Sequence, residues 1–189
     1  MEENGDLDRV LVERAQRGDR AAYTEIIERY QLPLYQFTFR LLNDAALAQD
    51  ATQEALARGW LKRASFKFRG QAKFSTWLFQ LARNAAIDLL RKRREYPLEA
   101  VSAEPVSPTP DAAEVLRLRE LAVRIAAALS DLPEPQRVAI TLAEYHNLST
   151  REIADVLHCT TRAAESHLYR AKQSLRVALA DCRKDARNF

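Results

Sequence analysis

The side chains of this chain that could do chemistry are basic and aromatic, and they are concentrated in one segment. Residues 58–94 carry eleven basic residues and a single acid, Asp88. Aromatic residues are interleaved with them, first in residues 66–69 and again at Phe74 and Trp77. Aromatic rings stack on unpaired bases for roughly 1–3 kcal/mol per base, while Arg and Lys hold the phosphates. The segment therefore predicts a surface for strand-separated DNA, with core packing of Phe74 and Trp77 as the alternative.

A second group of polar residues lies near the end of the chain. Ser149 and Glu152 have the spacing of a capping box, which predicts a short helix over residues 149–157. His158 tolerates a left-handed conformation and would form the turn, and Thr160 would cap a second helix. That helix carries a run of polar and basic side chains: Arg162, Glu165, Ser166, His167, Tyr169, Arg170 and Lys172. The pattern predicts a helix-turn-helix that enters a major groove, although a plain helical hairpin has the same spacing.

Charge is distributed unevenly along the 189 residues. The net charge is only +3, but it divides into −5 for residues 1–57, +10 for 58–94, −5 for 95–114 and +3 for 115–189. Such segregation indicates one face for a polyanion and other faces for different partners. A solvated basic helix surface is the alternative.

Apolar periodicity predicts helices throughout, and the presence of only four glycines disfavours a hairpin-rich β fold. Asp19 and Asp44 are predicted helix caps, and Pro33 is expected to bend or split its helix. The helices predicted in the first half cover residues 6–18, 20–42, 45–65 and about 75–94. In the first of them, Leu7, Val10, Leu11 and Ala15 are predicted to lie on one apolar stripe. In the third of them, a polar stripe of Asp50, Gln53 and Glu54 lies opposite the apolar positions. This stripe indicates either a docking face for a partner or a solvated surface.

Residues 95–113 separate two parts of the chain. They hold four of the seven prolines and no basic residue, a composition typical of an extended, mobile linker. We therefore expect an all-α fold with two small helical domains, at 1–94 and 114–189, joined by this flexible linker. In the second domain, an apolar stripe of Leu116, Leu121, Ile125 and Leu129 is predicted to precede the helix-turn-helix.

Several classes of function are disfavoured. No apolar run is long enough to span a membrane and the acidic amino terminus has no signal core, so we expect a cytoplasmic protein without direct membrane insertion. Cys159 and Cys182 lack the spacing of zinc ligands and are not expected to form a disulfide. There is no glycine-rich phosphate loop or nucleophile elbow. We therefore expect no catalytic residue, no metal and no cofactor.

Four stretches together resemble the bacterial sigma factors, specifically the extracytoplasmic-function (ECF) group of the sigma-70 family. DATQEAL, starting at residue 50, is similar to the family's core-polymerase-binding helix, and FSTWLFQLARNAAID, starting at residue 74, to its −10 element segment. LPEPQR, starting at residue 132, resembles the entry to its second DNA-binding domain. LSTREIA, starting at residue 148, and ESHLYRAK, starting at residue 165, resemble its −35-reading helix-turn-helix. The four stretches occur in the family's order.

The resemblance implies a non-enzymatic factor that directs core RNA polymerase to promoters and promotes their melting. It implies that Asp50, Gln53 and Glu54 bind the polymerase, whose beta and beta-prime subunits would be partners. The residues implied for the −10 element of promoter DNA are Phe68, Arg69, Lys73, Phe74, Trp77, Arg83, Asn84, Arg91 and Lys92. Those implied for the −35 element are Arg151, Thr160, Arg162, Ser166, His167, Tyr169 and Arg170. A cognate anti-sigma factor is a further implied partner.

The −35 helix departs from the family's pattern at two positions. Glu165 lies where many members have Lys or Arg facing DNA, and His167 lies where Arg is common. Glu165 would either accept a hydrogen bond from a cytosine amine or face solvent, so the −35 preference stays open.

Two functions other than that of a sigma factor also remain open. One is an autonomous helix-turn-helix dimer, which would protect a palindrome without polymerase, and the other is an RNA-binding or interaction module.

Overall fold

The structure, a computed structural model, describes residues 2–68, 73–95 and 112–180. These residues form helices and connecting turns, with no β-strand among them, which confirms the all-α prediction. The helices are α1 Glu2–Gln16, α2 Arg20–Leu42, α3 Ala45–Lys62, α4 Phe74–Glu95, α5 Ala112–Ser130, α6 Glu134–His146, α7 Thr150–Leu157 and α8 Thr161–Ala178. A 3-10 turn, Arg63–Ser65, follows α3. Most of the predicted linker, together with Arg69 and Cys182, lies outside the described residues.

Side-chain caps begin four of these helices where the sequence predicts them. The carboxylates of Asp19 and Asp44 accept hydrogen bonds from backbone N–H groups in the first turns of α2 and α3. Ser149 and Glu152 form the complete capping box of α7, and the Thr160 hydroxyl caps α8. Because these side chains satisfy N–H groups that have no partner inside the helix, they fix where each helix starts.

Helix α2 runs without interruption through Pro33, so the expected split does not occur. Tyr30 and Leu34 on either side of the proline are buried, and so is Phe37 one turn further on. The proline removes one backbone donor from the helix. Burial of these large side chains in one core stabilises the helix on both sides of Pro33.

Close helix packing builds the first half of the molecule. Helix α3 contacts α2 and α4 through a stripe of small residues: Ala48, Ala51, Ala55 and Gly59. Helix α1 covers the bundle through buried Leu11 and Ala15. Leu7 and Val10, predicted on the same stripe, are 44% and 52% exposed, so that part of the prediction is wrong. In α1, fewer apolar side chains are therefore buried than the apolar pattern predicts.

The two halves of the chain share a hydrophobic core. One continuous cluster contains Phe37 and Phe79 from the first half together with Val138 and Leu142 from the second. Helix α4 packs on α7, and α2 packs on α5 and α6. Leu121, predicted to be in the apolar stripe of α5, is 39% exposed, whereas Leu129 on the same helix is buried. Part of the apolar surface of each half is thus buried by the other half.

Candidate nucleic-acid and polymerase interface

The polar stripe of α3 lies on the surface, as predicted. Asp50, Gln53 and Glu54 are all exposed, opposite the face that α3 buries in the bundle. The Glu54 carboxylate accepts a hydrogen bond from Arg58 Nε at 2.6 Å, and Arg58 also reaches Asp88 of α4 at 3.3 Å. The hydrogen bond to Glu54 raises the pKa of Arg58 above its usual value. This pairing ties the exposed stripe to α4 and offsets part of its negative charge.

Aromatic rings cluster where the chain leads into α4. Phe66 is at the centre, with its ring centroid 4.9 Å from Phe68, 5.2 Å from Phe74 and 5.1 Å from Trp77. Phe68 and Trp77 are half-buried, and the Arg9 guanidinium lies 5.7 Å from the Phe68 ring centroid. Both side chains are therefore partly exposed to solvent, where a base could approach them.

Phe74 is more deeply buried than Phe68 and Trp77. Its side chain is only 2% exposed, and its ring packs edge-on against Tyr30 as well as beside Trp77. In this arrangement the ring packs in the core, against Tyr30 of α2 and Phe66, as in the core-packing alternative. A buried ring offers no face on which a base could stack, so the DNA contact of Phe74 stays a prediction that needs this packing to change.

The basic residues of the −10 prediction fall into two groups. Arg91 and Lys92, near the end of α4, are exposed, and Asn84 is half-buried. Lys73 and Arg83 instead form ion pairs with the second half of the chain. Lys73 Nζ is 2.8 Å from Glu152 of α7, and Arg83 donates two hydrogen bonds to Glu134 of α6, at 2.8 and 3.3 Å. Two predicted DNA ligands thus already have carboxylate partners.

Helices α7 and α8 form the predicted helix-turn-helix. His158 adopts the left-handed conformation between them, with φ of 54°, as its residue type suggested. Ala154 and Ala164 are buried at the seam and allow the two helices to approach closely. Cys159 is half-buried against the same core. These contacts hold α8 against α7 and leave one face of α8 exposed to solvent.

The outward face of α8 carries most of the predicted −35 residues. Arg162, Ser166 and Arg170 are exposed, and Tyr169 is 66% exposed. Arg151 at the start of α7 is also exposed, whereas Thr160 uses its hydroxyl to cap α8. His167 is half-buried, and its Nδ1 atom is buried without a hydrogen-bond partner among the described residues. His167 thus turns partly toward the protein, away from the centre of this face.

The contact between the two halves involves residues that sequence reasoning did not single out. His146 packs against the rings of Phe79 and Phe37, at centroid distances of 4.8 and 6.0 Å. Burial, with a smaller effect from nearby Arg40, lowers the pKa of His146 to about 4. The Arg40 guanidinium lies 3.8 Å from the ring centroid of Tyr145. No local sequence pattern connects these residues, because they lie on helices that are far apart along the chain.

In the part of the chain that the structure describes, no helix is long and apolar enough to cross a membrane. The same residues contain no group of three or more His, Cys, Asp or Glu side chains that could hold a metal ion.

Comparisons with known proteins match two regions of the chain to one protein family. Residues 26–96 match the model of Sigma-70 region 2, and residues 122–175 match that of Sigma-70, region 4. The chain is 33% identical to the RNA polymerase sigma-H factor of Pseudomonas aeruginosa, over 95% of this chain and 97% of that protein. It is 30% identical to the ECF RNA polymerase sigma factor SigW of Bacillus subtilis, over 90% and 95% of the two chains.

Two solved structures share the fold. CnrH in complex with the cytosolic domain of CnrY matches 93% of this chain and 98% of its own, with a TM-score of 0.72 and 24% identity. The sigma factor RpoE of Bartonella quintana, in complex with the anti-sigma factor NepR, matches 84% and 96% with a TM-score of 0.66 and 24% identity. With the two family regions in order and relatives of 30% identity or more that match over nearly their full length, the chain belongs to the extracytoplasmic-function group of the sigma-70 family of RNA polymerase sigma factors.

Proposed function

We propose that this sigma factor divides its work among three surfaces. The α3 stripe of Asp50, Gln53 and Glu54 docks on core RNA polymerase, at its beta-prime subunit. The aromatic and basic residues around α4 hold the separated −10 strand, and the outward face of α8 reads the −35 element. The observation that carries the proposal is the capped helix-turn-helix, whose α8 exposes Arg162, Ser166 and Tyr169 while α7 fixes its other face.

The −10 role rests on half-buried Phe68 and Trp77, on Asn84, and on Arg91 and Lys92. The first two offer ring faces to unpaired bases, and the basic residues offer charge to phosphates. Phe74 supports Trp77 from the core, and its own contact with DNA needs this packing to change. Lys73 and Arg83 join this surface after they leave their carboxylate partners in the second half.

The partners follow from this division of roles. The beta and beta-prime subunits of core polymerase and promoter DNA are the expected ligands, and a cognate anti-sigma factor is the expected regulator. The RpoE structure was solved with such a factor, which supports the last expectation. We place the protein in the cytoplasm, acting through binding rather than catalysis. Melting of the promoter then draws its free energy from contacts with the separated strand.

Reconstitution with core polymerase tests the proposal. The holoenzyme is expected to produce run-off transcripts from promoters recovered with it, whereas core polymerase alone gives none.

Two variants separate the proposed surfaces. Trp77→Ala is expected to abolish promoter opening, measured with a permanganate probe, while core binding is retained. Glu54→Lys is expected to weaken core binding itself. A protein that protects a palindrome without polymerase and never binds core would instead be an autonomous regulator, and the proposal would fall.

A further inference from the structure

We propose that Glu165 selects cytosine at one position of the −35 element, an inference that rests on the proposed function of α8. Glu165 is exposed, three residues after Arg162 and four before Tyr169. Residues three and four apart share one face of a helix, so the carboxylate lies between these two side chains. It is therefore on the same outward surface as Ser166 and within the first two turns of α8.

The position of Glu165 within α8 favours contact with base edges. In helix-turn-helix proteins, residues near the N-terminus of the second helix reach base edges in the major groove. The opposite side of α8 is occupied by protein, since Ala164 and Ala171 are fully buried against neighbouring helices. A DNA duplex that approaches the exposed side would therefore meet Arg162, Glu165 and Tyr169 together.

The charge environment of Glu165 separates it from other glutamates of this half. Glu144 pairs with Lys172 at 2.9 Å, and Glu152 pairs with Lys73 at 2.8 Å. Glu165 forms no ion pair within the described residues, although α8 carries four basic residues and no other acid. An unpaired carboxylate repels phosphates, so it weakens binding that depends on charge alone. It becomes favourable where the DNA presents a hydrogen-bond donor.

Base-edge chemistry identifies that donor. In the major groove only cytosine N4 and adenine N6 donate hydrogen bonds, and the adenine donor lies next to the N7 acceptor. A carboxylate only accepts at neutral pH, so adenine N7 would repel it while cytosine presents no acceptor on that edge. Guanine O6 and N7 and thymine O4 are all acceptors and are disfavoured as well. Cytosine is the base that matches Glu165.

Promoter selection by reconstituted holoenzyme tests this assignment. A DNA library randomised across both promoter elements is selected with wild-type protein, Glu165→Ala and Glu165→Gln. Glu144→Gln is the control, because it removes a charge from the same half at a residue of α6. Because Glu165 and Glu144 are both exposed, all four proteins are expected to share one thermal unfolding midpoint. Run-off transcription from single-base variants of the selected promoter then measures the preference at each position.

We expect wild-type protein and Glu144→Gln to require cytosine at one −35 position, with about a tenfold loss of transcription for other bases. Glu165→Ala should lose the preference at that position alone. Glu165→Gln should shift it toward adenine, whose N6 and N7 suit an amide. Identical −35 profiles in all four proteins would overturn the assignment while leaving the sigma-factor function intact. Failure of the wild-type protein to enrich any promoter over core polymerase alone would overturn the proposed function itself.

Discussion

His146 illustrates how one side chain can make the packing of the two halves depend on pH. It is largely buried against Phe79 and Phe37, its Nε2 atom has no hydrogen-bond partner among the described residues, and Arg40 approaches from α2 beside Tyr145. Burial is the main reason that its pKa falls to about 4, from the usual 6.5. Between these pH values the unfolded chain binds a proton that the folded chain does not. Folding stability is therefore fully present above pH 6.5 and decreases as pH falls toward 4.

We predict that His146→Leu flattens this pH dependence. The wild-type protein should lose about 2 kcal/mol of its free energy of unfolding between pH 6.5 and 4 through His146, after allowance for partial exposure. In the leucine variant this contribution of about 2 kcal/mol to the pH dependence of the free energy of unfolding should be absent, because the variant has no imidazole ring to protonate. Urea unfolding at a series of pH values measures the difference. Parallel pH profiles for the two proteins would contradict the prediction.

Gly59 lies where α3 packs against Tyr23 of α2 and Leu78 of α4. A Cβ atom at this position would lie 2.6 Å from Tyr23 Oη and 3.3 Å from Leu78 Cδ2. The Tyr23 hydroxyl has little room to move, since it is buried and donates a hydrogen bond to the Leu56 carbonyl at 2.5 Å. Gly59 lies within a regular helix, so its backbone conformation does not require a glycine. The glycine is required by the close packing around it.

Gly59→Ala is therefore expected to destabilise the protein by about 1–3 kcal/mol, in spite of alanine's higher helix propensity. Adding Tyr23→Phe should recover part of this loss, because it removes the atom that the new methyl group meets. Chemical denaturation of the two single variants and the double variant gives the coupling between the positions. Strict additivity of the two changes would show that the clash is not the cause.

At the scale of elements, a pair of buried hydroxyls joins α2 to α3. Thr38 Oγ1 lies 3.0 Å from the Ala48 carbonyl oxygen and 3.0 Å from Thr52 Oγ1, and both threonines are buried. Thr24, also on α2, has an exposed hydroxyl that bonds only within its own helix, to the Arg20 carbonyl at 3.1 Å. The two threonines of α2 thus differ in whether they link helices.

We expect Thr38→Val to lower the free energy of unfolding by about 1 kcal/mol or more, because a link between helices is lost from the core. The matched change Thr24→Val should have an effect within about 0.5 kcal/mol, as is usual for surface substitutions. Equilibrium urea unfolding compares the two variants. Equal effects would mean that the interhelical hydrogen bonds add nothing beyond the intrahelical ones.

The ends of helices could be predicted from sequence better than their buried faces. Asp19, Asp44 and Ser149 act within three residues of the groups that they cap, so local spacing was sufficient. The exposure of Leu7 and the burial of Phe74 depend on which helices lie above them. An apolar stripe has the same pattern whether a neighbouring helix covers it or not. For this reason the prediction for Leu7 failed, and sequence alone left core packing of Phe74 as an open alternative.

At the scale of the whole molecule, the ion pair of Arg83 with Glu134 spans the two halves. The Arg83 side chain is only 14% exposed and bonds through two nitrogen atoms, a geometry stronger than that of a surface pair. Fifty-one positions separate the two residues, and the predicted linker lies between them. Because no local spacing connects them, sequence reasoning placed Arg83 on DNA and did not predict the contact between halves.

Glu134→Arg is predicted to loosen this contact by opposing two positive charges. A fluorophore pair, with one member on each half, should report a longer separation, and the thermal midpoint should fall by several degrees. The swapped pair Arg83→Glu with Glu134→Arg should bring both readouts back toward wild-type values. A swapped variant that stays as open as the single one would show that the ion pair does not hold the halves together.

The two carboxylate oxygens of Glu152 serve different neighbours. Oε2 accepts hydrogen bonds from the backbone N–H and hydroxyl of Ser149, at 2.8 and 2.6 Å, while Oε1 faces Lys73 at 2.8 Å. Withdrawal of Lys73 would therefore leave the start of α7 hydrogen-bonded as before. The ion pair between Lys73 and Glu152 can therefore break without fraying α7, so at this point a separation of the two halves would expose surface to water without requiring the helix to refold.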